Sequence, residues 1–439
     1  MTGGVLRLPQ HRDTTRELGV LFPWQTSANL GVEGVCLGAD VGAGSSWHYD
    51  GFSLYSQGLV TNANMIVGGE PGSGKSAAVK TMLYRTLGLA GTAGRQRRWA
   101  AILDPKNEYG KLGDTLGMTR LSLYPGGPHR INPLDPGPGA GPADREELVR
   151  NRVELVTALL SVMLDRPLNQ VEDAVVGWSL ELVGDRNARP SLHDVAQLLA
   201  EQPVELVGRL ASMGGATGYG GDVRDVRLAL DKLLNRDLRG LFDATSSSPV
   251  DWDTPGMIVD LSQVHAHPVA LRLVMVGVTS WLTSLFTHRG ADSGGRYHLV
   301  IDEAWSALAD LFVARFIQHT WRLCRDYGVA TCAIVHQMSD FGSQAADGTA
   351  AQKIAESLIG LSQTKVLFRT DPKNVPFTAE VVGLTDREAQ LISRLARGRA
   401  LWHVKDHAAV VQHLVAPDEW AFASSDHRMT IDYDGETGG

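Results

Sequence analysis

Residues 63–76 read ANMIVGGEPGSGKS, and this stretch decides the fold. The apolar run from Ala63 to Val67 predicts a short buried strand, and apolar residues at helical spacing between Val79 and Leu87 predict a helix. The residues between them, Gly69 to Ser76, match the pattern GxxxxGK[ST], whose mechanism requires a strand before it and a helix after it. The sequence therefore predicts a phosphate-binding loop, and the flanking strand and helix disfavour a chance glycine-rich turn.

Each residue type in this loop has a physical task. Glycines let backbone N–H groups turn toward phosphate oxygens, and the N-terminal end of the helix adds its positive dipole. Lys75 is expected to reach the β- and γ-phosphates, and Ser76 to ligate Mg²⁺. The predicted nucleotide-binding residues are Gly69, Glu70, Pro71, Gly72, Ser73, Gly74, Lys75, Ser76 and Ala77.

A second motif, HLVIDEAW at residues 298–305, is an apolar strand that ends in two acids. Downstream of a phosphate-binding loop, Asp302 is expected to support the Mg²⁺ shell, and Glu303 to orient and polarise the attacking water. An acid directly after the magnesium acid is typical of ATPases that use water, an argument by analogy between folds. The two motifs together predict a magnesium-dependent ATPase.

Other polar residues at strand ends are weaker candidates. Gln337 follows the apolar strand that ends at His336 and is a candidate γ-phosphate sensor, with an ordinary polar loop residue as the alternative. Asp104 and Glu108 follow the strand near residues 99–103, at the sheet edge where open α/β folds bind ligands. Two roles are equally possible for both acids. They could contact the nucleotide or its coordinated water, or they could cap the turn.

Arginines supply further candidates. Arg325, or its neighbour Arg322, is a candidate to act in trans on the nucleotide of an adjacent subunit, and a solvated surface charge is the alternative. Arg397 and Arg399 are second candidates for the same role. The cluster at residues 95–98 (RQRR) is a candidate local DNA patch, although a solvated surface is favoured.

Strand signals alternate with helical segments along much of the chain, which predicts an α/β fold with a mostly parallel sheet covered on both faces. A stretch dense in proline and glycine at residues 124–143 interrupts this pattern and is followed by amphipathic helices to about residue 239. The predicted organisation is a short β-rich segment at 1–50, a motor domain at 51–138 and 256–425, an inserted all-α domain at 139–255, and a flexible tail at 426–439.

Composition restricts the function. The chain has 439 residues and a net charge of −8, so it is large enough for about three domains and cannot hold nucleic acid by bulk electrostatics. Its three cysteines contain no CxxC pair, which fits a reducing compartment. The first residues lack the apolar core of a secretory signal. The longest charge-free apolar stretch, residues 273–286, is too short for a membrane span and predicts a buried helix.

Taken together, the motifs resemble the conjugative DNA-transfer and type IV secretion ATPases of the VirB-four class (TraC- and TrbE-like), in the HerA/FtsK group of RecA-like motors. The resemblance rests on NANMIVGGEPGSGKS, ILDPKNEYG, INPLDP, VIDEAW, HQMSDF and RGRAL, in that order, and covers about residues 30 to 420. It implies a RecA-like P-loop NTPase with an inserted all-α domain. Members of that class also carry a large N-terminal docking domain, and docking by such a domain is not expected here.

The resemblance also implies roles and partners. Lys75 and Ser76 would bind phosphate and Mg²⁺, Asp302 would support the metal, Glu303 would activate water, Gln337 would sense the γ-phosphate, and an arginine near Arg325 would reach across a subunit interface. The implied protein is a ring-forming ATPase, either hexameric or passing from dimer to hexamer. It would lie in the cytoplasm at the inner face of a membrane, bound to an embedded secretion or conjugation complex, with ATP and Mg²⁺ as cofactors.

Two alternatives remain beside the motor of a conjugation or secretion apparatus. One is a DNA translocase of the HerA/FtsK kind, which would contact DNA through local basic patches and bind it more weakly as salt is added. The other is a nucleotide-dependent assembly scaffold, which the intact Glu303 argues against. A small-molecule kinase is the least favoured reading, because the chain shows no pattern for a second substrate pocket.

Overall fold

The computed structural model describes residues 30–89, 98–137, 144–212, 219–242, 246–247, 250–293, 295–304, 311–323, 327–336 and 350–424. Within these residues a single sheet of eleven strands runs through the molecule. The strands are β1 (Val35–Asp40), β2 (Ser46–Tyr49), β3 (Met65–Gly68), β4 (Arg98–Asp104), β5 (Thr119–Ser122), β6 (Gly256–Asp260), β7 (Arg296–Ile301), β8 (Val329–Ile334), β9 (Thr364–Leu367), β10 (Arg399–Val404) and β11 (His407–His413).

The strand order is β2-β1-β11-β10-β9-β3-β8-β7-β4-β6-β5. Pairing is parallel from β9 to β5, and antiparallel from β9 through β10, β11 and β1 to β2. The predicted mostly parallel sheet is confirmed. The N-terminal strands predicted from the sequence extend this same sheet at its antiparallel end, where Ala39 pairs with Gln412.

Helices connect many of the strands and pack against the sheet. They are α1 (Gly51–Ser56), α2 (Lys75–Tyr84), α3 (Gly110–Leu116), α4 (Arg145–Leu164), α5 (Gln170–Arg186), α6 (Leu192–Glu201), α7 (Val204–Ser212), α8 (Tyr219–Asp222), α9 (Arg224–Lys232), α10 (Pro268–Ser293), α11 (Leu311–Leu323), α12 (Ala350–Leu361), α13 (Val375–Val382), α14 (Asp386–Ile392) and α15 (Trp420–Ala423). The helix predicted to follow the phosphate-binding loop is therefore α2, and α4 to α9 form the predicted helical block.

The helical block shares a hydrophobic core with the sheet. Buried residues of α4 to α9 pack in one cluster with residues of α10, α11 and the parallel strands. The INPLDP stretch lies between the two parts, where the Asn132 amide donates to the Pro190 carbonyl at 2.9 Å. The Arg152 guanidinium of α4 donates to the Leu134 carbonyl at 3.0 Å. The INPLDP stretch is thus a largely buried segment at the contact between the helical block and the sheet. The division into domains stays a prediction.

Helix α10 is longer than the 14-residue apolar stretch on which its prediction rested. It spans 26 residues, and the window from Pro268 to Thr287 is long and apolar enough to cross a membrane. In this fold 72% of that window is buried inside the protein, against the sheet and α4. The prediction of a buried helix is confirmed, and its apolar length is explained by burial on most of its circumference.

Asn64, directly before β3, fixes the strand that leads into the phosphate-binding loop. Its side-chain oxygen accepts from the Thr331 hydroxyl at 2.8 Å and from the Thr331 backbone N–H at 3.3 Å. Its side-chain amide donates to the Trp321 carbonyl at 3.4 Å. Since Asn64 is buried, these bonds lock the register of β3 against β8.

We expect Asn64→Ala to lower the free energy of unfolding by about 1–3 kcal/mol, because it removes the partners of buried polar groups on Thr331 and Trp321. Urea denaturation followed by circular dichroism measures this change. Asn235→Ala is the control, since Asn235 is exposed and its loss should change stability by less than about 0.5 kcal/mol. Equal stability of the two variants would show that Asn64 does not hold the strand.

Candidate functional site

The predicted site residues meet at one edge of the sheet. The loop Gly69–Gly74 follows β3, Lys106 follows β4, Asp302 and Glu303 follow β7, and His336 follows β8. These strands are parallel neighbours, so their carboxyl ends lie side by side, where open α/β sheets bind ligands. One cleft of about 240 Å³ is lined by Lys106, Asp302, Glu303 and His336, by Pro71, Gly72 and Gly74 of the loop, by Arg397 and by Trp420 of α15.

The phosphate-binding loop has a backbone shape that needs its glycines. Gly69, Gly72 and Gly74 have φ of 149°, 72° and 110°, which side chains other than glycine rarely adopt. A Cβ on Gly74 would also lie 3.2 Å from the Gly398 Cα, and the Gly398 N–H donates to the Ser73 carbonyl at 2.9 Å. The late RGRAL segment therefore packs against the loop and supports its curvature.

Lys75, the first residue of α2, is buried beneath the loop. Its Nζ donates to the Gly69 carbonyl at 2.5 Å and to the Glu70 carbonyl at 2.9 Å. Burial lowers the pKa of Lys75 to about 8, although the charges of Asp302 and Glu303 oppose this shift. The ammonium group is held by two carbonyls of the loop in the cleft, where a phosphate oxygen could replace them as its partner.

Asp302 has the environment of a cation ligand. It is buried and accepts a hydrogen bond from the Glu303 N–H at 2.9 Å. Burial, reinforced by the nearby carboxylates of Glu108 and Glu303, raises the pKa of Asp302 to about 7. A divalent cation would stabilise the charged form of this carboxylate, and Ser76 lines the same cleft. The pair Ser76 and Asp302 therefore fits Mg²⁺.

Glu303 is clamped between Lys106 and His336. Its Oε1 lies 2.5 Å from Lys106 Nζ and 2.9 Å from His336 Nε2. Burial raises the pKa of Glu303, but the hydrogen bonds from His336 and Lys106 outweigh this and lower the pKa to about 2. The backbone at Glu303 has φ of 53°, an uncommon value for a residue with a side chain, as found at many functional sites.

The two acids after β4 have different tasks. The Asp104 carboxylate accepts from the backbone N–H groups of Glu108 and Tyr109, both at 2.9 Å, so it caps the turn that carries Lys106. The capping alternative is confirmed for Asp104. Glu108 lines the cleft and lies 3.8 Å from the Nζ of Lys80, a fully buried lysine of α2. The turn is thus tied both to its own strand and to the helix after the loop.

The candidate arginines are dispersed. Arg397 lines the cleft of its own chain, while Arg399 donates to the Gln412 side chain at 2.8 Å. Arg98 forms an ion pair with Asp50 at 2.6 Å, which removes its charge from the candidate DNA patch. Arg322 is exposed on α11. The candidates Gln337 and Arg325, like Arg95 and Arg97, lie outside the described residues.

Sequence reasoning missed several residues that line the cleft, among them Lys106, His336 and Trp420. Lys106 and His336 lie within quoted motifs, and the rule that parallel strands end at one edge could have assigned both to the site. Trp420 lies beyond the last strand, in a stretch without a recognisable pattern. Its position depends on tertiary contacts that no spacing in the sequence encodes.

Part of the chain matches a known protein family. Residues 247–410 match the family model described as the TraG P-loop domain. This segment contains Asp302 and Glu303, whereas the glycine-rich loop at 69–76 precedes it. No curated protein sequence matches the chain.

Solved structures share the fold. VirB4 of Thermoanaerobacter pseudethanolicus superposes with a TM-score of 0.69 at 20% identity, over 90% of this chain and 100% of that one. The plasmid coupling protein TrwB in complex with ADP and Mg²⁺ superposes with a TM-score of 0.55 at 16% identity, over 88% and 90% of the two chains. TrwB with the non-hydrolysable analogue ADPNP gives 0.53 at 16% identity, over 94% and 96%. The predicted RecA-like P-loop fold is confirmed.

The lowered pKa of Lys75 predicts a pH-dependent stability. Above pH 8 the folded protein loses the Lys75 proton, while the unfolded chain keeps it to about pH 10.4, so stability rises with pH across this window. Relative to Lys75→Met, which lacks this group, the wild type should gain roughly 2 kcal/mol between pH 8 and pH 10. Urea denaturation of both proteins at several pH values measures the difference, and a pH-independent difference would contradict the burial of a charged Lys75.

Proposed function

We propose that this chain is an ATP-hydrolysing motor that powers substrate transfer, or pilus or channel assembly, in a conjugative or type IV secretion apparatus. One observation carries the proposal: Glu303 and Asp302 face Lys75 and Ser76 across a single cleft, which places a candidate water activator beside a candidate magnesium site. The match to the TraG P-loop domain and the shared fold with VirB4 and TrwB support it.

The binding roles follow from the contacts. The N–H groups of the loop and the ammonium of Lys75 hold the β- and γ-phosphates of ATP, and Lys75 exchanges its two loop carbonyls for phosphate oxygens. Ser76 and Asp302 hold Mg²⁺, as the TrwB complex with ADP and Mg²⁺ leads us to expect. When bound, Mg²⁺ neutralises charge on the phosphates.

The catalytic role falls to Glu303. A water molecule attacks the γ-phosphorus, the bond from that phosphorus to the β–γ bridging oxygen breaks, ADP leaves with the bond's electron pair, and the water's proton passes toward the Glu303 carboxylate. A carboxylate with a pKa near 2 has little affinity for a proton, so the clamp must loosen first. The γ-phosphate supplies the means, because its charge offers Lys106 a stronger partner than Glu303.

Assembly and location extend the proposal. We infer a ring, of six subunits by the family resemblance, in which an arginine near Arg325 acts on the nucleotide of the next subunit. We place the ring in the cytoplasm at the inner face of a membrane, against an embedded secretion or conjugation complex. The description of TrwB as a bacterial conjugative coupling protein supports this setting.

A DNA translocase is the second candidate function. The match to the TraG P-loop domain and the fold shared with a plasmid coupling protein are compatible with a DNA translocase. The net charge of −8 and the pairing of Arg98 with Asp50 weaken it, because DNA binding needs available cationic groups. An assembly scaffold is less favoured, since a scaffold has no use for Glu303 beside a magnesium site.

The first test compares two substitutions in the cleft. We expect Lys75→Ala to abolish ATP binding, because it removes the buried phosphate ligand. We expect Glu303→Gln to bind ATP as tightly as the wild type and to lower kcat by at least 100-fold, because the amide accepts no proton. Calorimetric titration measures binding, and phosphate release measures turnover.

The same assay separates the alternatives when protein concentration and DNA are varied. Turnover that rises with oligomer mass in light scattering supports the ring, and stimulation by DNA moves the assignment toward the translocase. Tight ATP binding without turnover in the wild type would favour the scaffold. Equal turnover of Glu303→Gln and the wild type would remove Glu303 as the water activator.

Lys106 offers a sharper test of the clamp. If its ammonium moves from Glu303 to the γ-phosphate, Lys106→Met should weaken ATP binding roughly 10-fold and change ADP binding less than twofold, since ADP lacks that phosphate. Fluorescent-nucleotide displacement measures both affinities. Lys111→Met, an exposed lysine on α3, is the matched control. An equal loss for both nucleotides would contradict the transfer.

A further inference from the structure

The chain after the last strand is fastened to the helix of the phosphate-binding loop. The Glu419 carboxylate, which is buried, receives two hydrogen bonds from the Arg85 guanidinium, at 2.8 and 2.5 Å. The same guanidinium also donates to the carbonyls of Cys36 and Leu414. Tyr84 and Phe422 pack with their rings 4.8 Å apart. This short segment is thus held rigidly beside α2.

Trp420 is the residue that this anchored segment presents to the cleft. Its neighbours Glu419 and Phe422 are buried, yet Trp420 keeps 48% of its surface exposed. It lines the same cleft as Lys75 and Ala77, together with Ala423 and Ser424 of its own segment. A large aromatic surface is therefore left exposed in the cleft that also contains Lys75 and the phosphate-binding loop.

The lining of the cleft combines two chemistries. Lys75, Lys106, Asp302 and Glu303 are charged groups, which suit phosphate and a cation. Trp420 and Ala423 supply aromatic and small apolar surface, which suits a flat, weakly polar ring. A nucleoside triphosphate carries both kinds of group, and base stacking on an aromatic face contributes about 1–3 kcal/mol.

We propose that Trp420 is the platform on which the base of the bound nucleotide stacks. This inference rests on the proposed function, because it needs nucleotide phosphates at the loop. Stacking uses the π-face that every base has, so Trp420 strengthens binding of ATP and GTP alike and does not discriminate between them. The anchoring by Arg85 and Glu419 orients the ring before the nucleotide arrives, which reduces the entropy lost on binding.

The test compares ATP with tripolyphosphate, which carries the same phosphates without a base. We expect Trp420→Ala to weaken ATP and GTP binding 10- to 100-fold and to leave tripolyphosphate binding within twofold, in calorimetric titrations with Mg²⁺. Trp420→Phe should recover most of the loss, because it retains a ring. Tyr55→Ala, another partly exposed aromatic residue away from the cleft, is the control and should bind as the wild type does.

Each other outcome overturns the inference. Unchanged ATP affinity in Trp420→Ala would show that the ring does not touch the base. An equal loss for ATP and tripolyphosphate would assign Trp420 to the shape of the phosphate site. Tighter ATP binding would show that the segment obstructs the cleft. If the wild type binds neither ATP nor tripolyphosphate, the proposed function itself fails, and that result is distinct from a failure of Trp420 alone.

Discussion

The balance between charge and burial at one edge of the sheet is the constraint on which the rest of the structure depends. Asp302, Glu303 and Lys75 are all buried, and an isolated buried charge is costly. Each charge therefore needs a partner: Lys75 donates to the loop carbonyls, and Glu303 contacts Lys106 and His336. Asp302 accepts only a backbone N–H among its hydrogen bonds described above, and its pKa is raised to about 7. A divalent cation beside Asp302 and a phosphate beside Lys75 would each add a partner of opposite charge to a group whose pKa burial has shifted.

Because the strands that lead to these residues pair in parallel, the charged side chains lie in one cleft. The strands β3, β8, β7 and β4 are neighbours in that order, so residues separated by more than two hundred positions in the chain end at the same edge. Asn64 holds β3 against β8, and the cap from Asp104 holds the turn after β4. The architecture thus determines which side chains face the nucleotide site, while the loops determine their orientation.

The predictable part of the site consisted of residues whose role depends on local backbone geometry. The loop 69–76 and the acids Asp302 and Glu303 were accessible because a strand, a turn and a helix N-terminus leave a recognisable pattern. The contacts of Glu303 with Lys106 and His336 could not be predicted, because the three residues follow three different strands. Their spacing in the sequence does not encode the distances between their side chains. The same reason hid the partner of the N-terminal strands: short apolar pieces in a glycine-rich stretch predict strands there, but Ala39 pairs with Gln412, which is far away in the sequence. The length of α10 was underestimated because the prediction rested only on the charge-free apolar stretch at residues 273–286. Polar residues on either side of that stretch belong to the same, mostly buried helix.

The fastening of Glu419 to Arg85 has a consequence for biosynthesis. Glu419 lies 334 positions after Arg85 in the chain, so during synthesis the loop's helix waits for this partner until the strands between them have emerged. Strand β1 waits equally long for β11. The nascent chain accordingly cannot mature its nucleotide pocket in step with translation, and a ribosome that stalls before the final strands releases a product whose central strands can pair but whose pocket lacks one wall.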